Sequence, residues 1–159
     1  MFVRIRKLLM PPDLSEPGAA LLRHWREHNV SLNGPASVIS LWRVGRKVGG
    51  ALPTDFIGLY RRANGMGRYA SDDLMVNMWS AERMIHQRFR YAPFRGHTAG
   101  LCVFADVANE IYFFSLDDSG CVSICGDAMV RPIGTFAEFL YLYWADPRSL
   151  GLNDRVVAA

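Results

Sequence analysis

The chain has 159 residues, of which 50% are hydrophobic and 21% are charged. This length fits one domain, and a chain of this size buries about 70% of the surface that its unfolded form exposes, so its core needs neither disulfide bonds nor a metal. The hydrophobic fraction excludes a disordered chain, and the length excludes a repeat array or a two-domain cofactor enzyme of ordinary size.

The net charge of +3 hides an asymmetry between the two parts of the chain. Residues 1–100 carry 15 Lys and Arg against 7 Asp and Glu, whereas residues 101–159 carry 3 against 8. A basic first part fits nucleic acid, and an acidic second part fits a basic partner. The alternative is that the fold brings both parts together and their charges interleave on one solvated surface.

The cysteines indicate a reducing compartment. Cys102, Cys121 and Cys125 are odd in number, lack C-x-x-C spacing and lie in apolar stretches. A secreted disulfide framework needs a denser, even set, so we expect free thiols and a cytoplasmic protein. The basic start of the chain lacks the apolar core of a signal peptide, and no uncharged window is long and apolar enough to span a membrane.

Helical patterns come first along the chain. Glu16 to His28 is the first predicted helix, and Pro35 to Val48 is the second, ended by Gly49-Gly50. Thr54 caps a third helix, which Asn64-Gly65 ends.

Short apolar strands dominate the rest of the chain. Five candidates follow in order, namely Leu74–Trp79, Leu101–Ala105, Ile111–Leu116, Cys121–Ile124 and Met129–Ile133. Ser80 caps a short helix near Ala81 to Gln87, and Thr135 caps a last helix that presents Phe136, Phe139, Leu140 and Tyr143 on one face. This order predicts an α+β fold with one main domain over residues 35–146, a one-helix extension over 1–34 packed on or next to it, and a loose tail over 147–159.

One short string suggests metal chemistry. His24, Glu27 and His28 form H-x-x-E-H, in which two histidines share a helix face and the glutamate acts as general base in a zinc hydrolase. A third ligand has to come from far away in the chain, and two solvated imidazoles on an exposed helix explain the string more simply. We therefore expect no bound metal, and zinc hydrolysis is kept as a remote alternative.

Other chemical motifs are weak. The chain has no nucleophile elbow and no phosphate-binding loop. Asp72-Asp73 and Asp117-Asp118 offer ligands for a hard cation, but both pairs are expected to be solvated turn aspartates. Arg88 to Arg95 interleaves cations with aromatics as single-strand binders do, and cation–π packing on the protein's own surface explains it equally well. We expect no catalytic residue, no cofactor and no nucleic-acid partner.

Several motifs recur together in an order that is similar to a known family. They are Val48 to Phe56 (with Gly49-Gly50 and Leu52-Pro53), Asn64-Gly65, Val103 to Asp106, Ile111 to Asp117, Cys121-Val122, and Ile133 to Leu140 with its Phe-x-x-Phe-Leu pattern. From about Pro35 to Trp144 this set resembles the SUKH superfamily. The sequence departs from the family pattern at Asp106 to Glu110, where family members often have a Gly/Asp-rich turn.

The resemblance implies a curved, mostly antiparallel β-sheet flanked by α-helices and a protein that is not an enzyme. The family includes bacterial immunity proteins that neutralise toxins and regulators of cell-wall assembly. It therefore implies a protein-binding domain whose partner is a cognate toxin domain, with a regulatory scaffold as the alternative. The expected protein is a monomer or weak dimer without membrane association.

Acidic residues in the second part of the chain are the candidate contacts for a basic toxin such as a nuclease. They are Asp106, Glu110, Asp117, Asp118 and Asp127. Complementary charge accelerates encounter and selects partners, which is why these residues are chosen. The competing interpretation is that they are ordinary solvated turn residues.

Overall fold

A computed structural model describes residues 12–87, 101–126 and 129–153, with Met129 described by its backbone alone. The basic segment of residues 88–95 and the candidate contact Asp127 lie outside these ranges. The predictions that concern them therefore stay predictions.

Three helices lie in the first part of the chain. They are α1 (Glu16–Glu27), α2 (Val38–Val48) and α3 (Thr54–Tyr60). The second helix begins three residues later than predicted because the Ser37 side chain accepts a hydrogen bond from Ser40 N, which makes Ser37 the N-cap. Gly49 ends it in the left-handed conformation at φ 83°, as predicted. Within the described ranges, no helix is long and apolar enough to cross a membrane.

A five-stranded antiparallel sheet follows. Its strands are β1 (Val76–Met78), β2 (Cys102–Val107), β3 (Tyr112–Leu116), β4 (Cys121–Gly126) and β5 (Met129–Thr135), and they pair in chain order without closing into a barrel. Helix α4 (Ala81–His86) lies between β1 and β2, and α5 (Phe136–Ala145) follows β5. The predicted α+β single-domain fold is confirmed.

Aromatic rings hold α5 against the sheet. Phe136 and Phe139 are fully buried and lie 5.5 and 5.3 Å from the ring of Phe104 on β2, both in edge-on geometry. Phe56 of α3 contacts Phe136 at 5.1 Å. Edge-to-face pairs stabilise a core beyond the area that they bury. Thr135 caps α5 as predicted, in a reciprocal capping box with Glu138.

A buried carboxylate connects α1 with α5. Asp72 is 7% exposed, so the expectation of a solvated turn aspartate was wrong. Its Oδ2 accepts hydrogen bonds from Trp25 Nε1 of α1 (3.1 Å) and from the Tyr143 hydroxyl of α5. Its Oδ1 accepts from the backbone N–H groups of Leu74 (2.9 Å) and Val76 (3.2 Å). These donors compensate for the burial of the charge.

Asn64-Gly65 does not end α3, which contradicts the prediction. The helix stops at Tyr60, and the pair instead docks the following segment on β1 and α4. Asn64 Oδ1 accepts from the backbone N–H of Ala81 at 2.7 Å. Gly65 has φ 66°, and a Cβ there would lie 2.5 Å from the carbonyl group of Trp79. Glycine is needed at this position for both reasons.

Residues 147–153, the described part of the tail predicted to be loose, pack on the domain. Pro147–Leu150 forms a 3₁₀ helix that contacts α5. Leu150 is fully buried and Leu152 is 8% exposed. Burial of these leucines offsets the entropy lost when the backbone is ordered. The Asp146-Pro147 turn signal marks the end of α5 but does not indicate that the following leucines are buried.

Asp72→Asn should destabilise the protein by about 2–3 kcal/mol. The variant places an amide where Trp25 and Tyr143 need an acceptor, so one buried donor loses its partner. The free energy of unfolding from urea titration measures the effect. Asp118→Asn, at an exposed turn aspartate, is the control and should cost under about 1 kcal/mol. Equal losses in the two variants would contradict the role assigned to Asp72.

Glu82 should contribute a pH-dependent part of the stability. Burial raises the pKa of its carboxyl, but hydrogen bonds from Ser40 and Asn64 outweigh burial and lower it from the ordinary 4.5. Because the folded-state pKa is depressed, this stabilisation is present above the unfolded-state pKa and is lost as the pH falls through the folded-state pKa. Between about pH 5 and about pH 3, Glu82→Gln should therefore lose less unfolding free energy than the wild type.

Urea titrations at both pH values test this prediction. Ser40→Ala removes one of the side-chain donors to Glu82 and should reduce the pH dependence only in part. The prediction fails if wild type and Glu82→Gln lose the same unfolding free energy over this range.

Candidate functional site

A groove opens between the loop of residues 66–71, strand β1 and the turn that joins β2 to β3. Its volume is about 960 Å³, which is in the range of ligand-binding clefts. The side chains that matter chemically are Tyr69, Met75, Asn77, Arg83, Asp106 and Glu110. Two of these, Asp106 and Glu110, are among the contacts predicted from the sequence.

Strand pairing and α4 bring the polar groups of the groove together. Asn77 and Asp106 are direct partners in the β1–β2 ladder. Arg83 reaches over from α4, where its Nη1 donates to Asn77 Oδ1 at 2.9 Å. Its Nη2 lies 3.3 Å from Asp106 Oδ2 and 3.2 Å from Glu110 Oε1. One guanidinium therefore holds two carboxylates, one on β2 and one in the following turn.

Trp79 forms the floor of this cluster. The Arg83 guanidinium lies 4.0 Å above the centre of its ring, a cation–π contact. The indole Nε1 of Trp79 donates a hydrogen bond to Asp106 Oδ2, which is the same oxygen that Arg83 contacts. The Asp106 side chain is 6% exposed, and no described residue donates a hydrogen bond to its Oδ1. Asp106 thus lies in the wall of the groove, and its Oδ2 contacts both Trp79 and Arg83.

The rim of the groove is apolar and exposed. Tyr69 is 88% exposed and Met75 is 51% exposed, and the Arg68 guanidinium lies 5.0 Å from the Tyr69 ring centre. Tyr69 and Met75 have φ of 67° and 60°, a left-handed backbone that few residues other than glycine adopt. The structure therefore holds both side chains outward at some cost in backbone energy.

The β2–β3 turn has the same unusual backbone. Ala108, Asn109 and Glu110 take φ of 50°, 58° and 72° in succession. Asparagine accepts this conformation readily, but alanine and glutamate do not. This strained turn carries Glu110 to Arg83, and it is the same stretch at which the sequence departs from the SUKH-like pattern.

Asp117 and Asp118, the other predicted acidic residues that the structure describes, lie elsewhere. Cys102 pairs with Leu116 at one end of the β2–β3 hairpin, so Asp117 and Asp118 follow at the end opposite Glu110. A Cβ at Gly50 would lie 2.2 Å from the Asp118 carbonyl oxygen, so this turn packs closely on the end of α2. The described candidates therefore divide between two ends of the sheet and form no single acidic surface.

Asp117 organises its own turn. Its Oδ1 accepts from Ser119 N at 3.0 Å, Ser119 Oγ at 2.7 Å and Cys121 N at 2.9 Å. Burial raises the pKa of this carboxyl, but these hydrogen bonds outweigh it and lower the pKa below 3.8. This is the turn chemistry expected from the Asp-Asp-Ser-Gly string.

His28 of the H-x-x-E-H string is exposed, but the His24 side chain is only 11% exposed, so the expectation of two solvated imidazoles was wrong for His24. His24 Nε2 is 3.0 Å from Asp73 Oδ1, and His28 Nδ1 is 2.9 Å from the His24 carbonyl oxygen. Glu27 is exposed. Across the described ranges, no three His, Cys, Asp or Glu side chains are placed to hold a metal ion.

Sequence reasoning missed most of the groove. No motif marks Asn77, Arg83 or the rim residues Tyr69 and Met75. Arg83 and Glu110 are 27 positions apart, so no local pattern links them. The available signal was the Asp106 to Glu110 turn, whose composition differs from the pattern that the rest of the chain follows. That signal marks the turn but does not reveal the guanidinium that it contacts.

Comparison with known proteins adds no further residue to this site. No protein-family model matches the sequence, and no curated protein matches it. Proposals about function therefore rest on the groove and on the motifs described above.

The three thiols should differ in reactivity. Burial raises the pKa of Cys102 to about 11 and also raises that of Cys125, so neither forms the reactive thiolate at pH 8. Cys121 is only partly buried. In the native protein, iodoacetamide at pH 8 should modify Cys121 first and the other two only after urea unfolding, as read by peptide mass spectrometry. Modification of Cys102 at the rate of Cys121 would contradict the buried position of Cys102.

Proposed function

We propose that the protein is a non-enzymatic binding domain, and specifically a cytoplasmic immunity protein that neutralises a cognate toxin domain in a stoichiometric complex. The groove is the observation that carries the binding function. The SUKH-like motifs support the choice of a toxin, with a basic nuclease as the candidate.

The composition of the groove favours a protein partner. Tyrosine, methionine and arginine are enriched at interfaces, and Tyr69, Met75 and Arg83 line this surface, with Trp79 buried beneath it. The two rim side chains are exposed, whereas the polar groups below them are already bonded to one another. Such a surface is pre-organised, which reduces the entropy lost on binding.

The ionisable groups favour binding over acid–base chemistry. Arg83 holds both Asp106 and Glu110 in ion pairs, so each carboxylate already has a fixed cationic partner. Inhibition of a toxin would be steric and electrostatic. The rim would cover the toxin's active surface while complementary charges orient the encounter.

Affinity capture from the lysate of the encoding organism tests this function. The tagged protein should recover one dominant partner with a toxin-like domain in a 1:1 complex, and co-expression with that domain should restore cell growth. Tyr69→Ala combined with Met75→Ala should weaken the complex at least about tenfold by calorimetry, since central interface side chains often contribute more than 1 kcal/mol each.

Two further variants locate the contact. Tyr141→Ala removes an aromatic side chain of 57% exposure on α5 and should leave the affinity within about twofold. Asp117→Lys with Asp118→Lys tests the other predicted acidic turn. Recovery of envelope-synthesis proteins in place of a toxin would contradict the immunity function and support a scaffold domain.

A further inference from the structure

We infer that the outer face of α2 is a second docking surface, which binds an acidic segment of a protein whose carboxylates flank an apolar side chain. This face consists of Ile39, Trp42, Arg43 and Arg46. None of these residues lines the groove, so the inference is independent of the proposed function.

Helical spacing places the four residues on one side of α2. Their positions follow the pattern i, i+3, i+4 and i+7, and all four are exposed. The residues of α2 that enter the core lie on the opposite side, and they are Leu41, Val44 and Val48. The outer face therefore contributes little to the core, and substitutions on it should leave the protein folded.

The outer face is positively charged and has no carboxylate partner. α2 contains Arg43, Arg46 and Lys47 but no Asp or Glu. Lys47 donates hydrogen bonds to backbone carbonyl oxygens at the end of α4. Among the described residues, no carboxylate forms an ion pair with either arginine. Because a guanidinium binds a carboxylate through two parallel hydrogen bonds, both arginines are available to an acidic partner.

Two acidic residues flank α2, but neither neutralises these arginines. The Glu82 carboxylate accepts a hydrogen bond from Ser40 near the start of the helix, and Asp118 packs against the glycine that ends it. Residues 1–11 and 88–100, which the structure does not describe, contain no Asp or Glu. They therefore supply no carboxylate to this face, and its positive sign follows from its own side chains.

The apolar side chains of the face favour a protein partner. Ile39 is 64% exposed and Trp42 is 40% exposed, and the Arg46 guanidinium lies 5.2 Å from the centre of the Trp42 ring. Tryptophan and arginine are the side chains that most often dominate protein interfaces. A sugar–phosphate backbone offers no apolar group to cover an isoleucine. Two apolar side chains are also few for a membrane, because even a whole myristoyl chain gives only marginal membrane binding.

NMR titration of the ¹⁵N-labelled full chain tests the inference without a known partner. The probe is the peptide Glu-Glu-Leu-Phe-Glu-Glu, acetylated and amidated at its ends, and the control peptide has glutamine in place of each glutamate. The reporter is the indole N–H of Trp42, which is assigned by the loss of its signal in Trp42→Phe. At equal ionic strength, we expect a saturable shift of this signal with the acidic peptide only. Equal shifts with both peptides, or no shift, would overturn the inference.

Matched double variants test the role of charge on this face. Arg43→Gln with Arg46→Gln should raise the Kd of the acidic peptide about threefold to tenfold, since two exposed ion pairs are lost. The control, Arg23→Gln with Arg26→Gln, removes the same charge from exposed positions of α1 and should change the Kd less than about twofold, because salt screens distant charges. An equal loss of affinity in the two double variants would show an effect of net charge alone and would contradict a site on α2.

Other ligands and the groove are tested in the same way. Oligothymidylate and vesicles of phosphatidylserine with phosphatidylcholine are titrated against the protein, and tighter binding of either one to the outer face than of the peptide overturns the choice of a protein segment. Tyr69→Ala with Met75→Ala changes the groove and should leave the affinity for the peptide unchanged. A failure of this inference is therefore distinguishable from a failure of the proposed function.

Discussion

The burial of the Asp72 carboxylate is the constraint on which the rest of the structure depends. A charge removed from water must receive hydrogen bonds, and the donors come from Trp25 near one end of the described chain and Tyr143 near the other. The same carboxylate receives the backbone N–H groups of Leu74 and Val76. One side chain therefore sets the positions of α1, α5 and the start of the sheet relative to one another.

The groove depends on this anchor. Because Asp72 binds the backbone on both sides of Met75, that residue is held at φ 60° with its side chain 51% exposed at the rim. β1 then continues to Asn77 and Trp79, which form the wall and floor below it. The ion pairs of Arg83 complete the surface from the opposite side. The interactions that stabilise the fold thus also give the candidate site its shape.

Local signals predicted the end of α2 and the start of α5, where the terminating side chains act within one turn. They failed at the start of α3, where Pro53 and not Thr54 is the N-cap and no side chain caps the helix. Thr135 and Glu138 cap α5 as the capping-box spacing indicates, and Gly49 ends α2 as a glycine in that position should. Asn64-Gly65 was misread because its partners lie further along the chain: Ala81 is 17 residues after Asn64, and Trp79 follows Gly65 by a similar distance. Asn64 and Gly65 make tertiary contacts with α4 and the end of β1. Turn residues of this type occur both at such contacts and at helix ends, so the sequence pattern alone does not distinguish the two.

The sequence by itself determined the α+β class, the order of the elements and the face of α5 that enters the core, because these follow from periodicity and capping within a few residues. It also singled out Asp106 and Glu110 by their charge. Only the tertiary structure decided that these two meet at Arg83 while Asp117 and Asp118 lie at the other end of the sheet, and that Asp72 is buried. Burial and ion pairing between distant residues depend on strand register and helix packing, which no local pattern encodes.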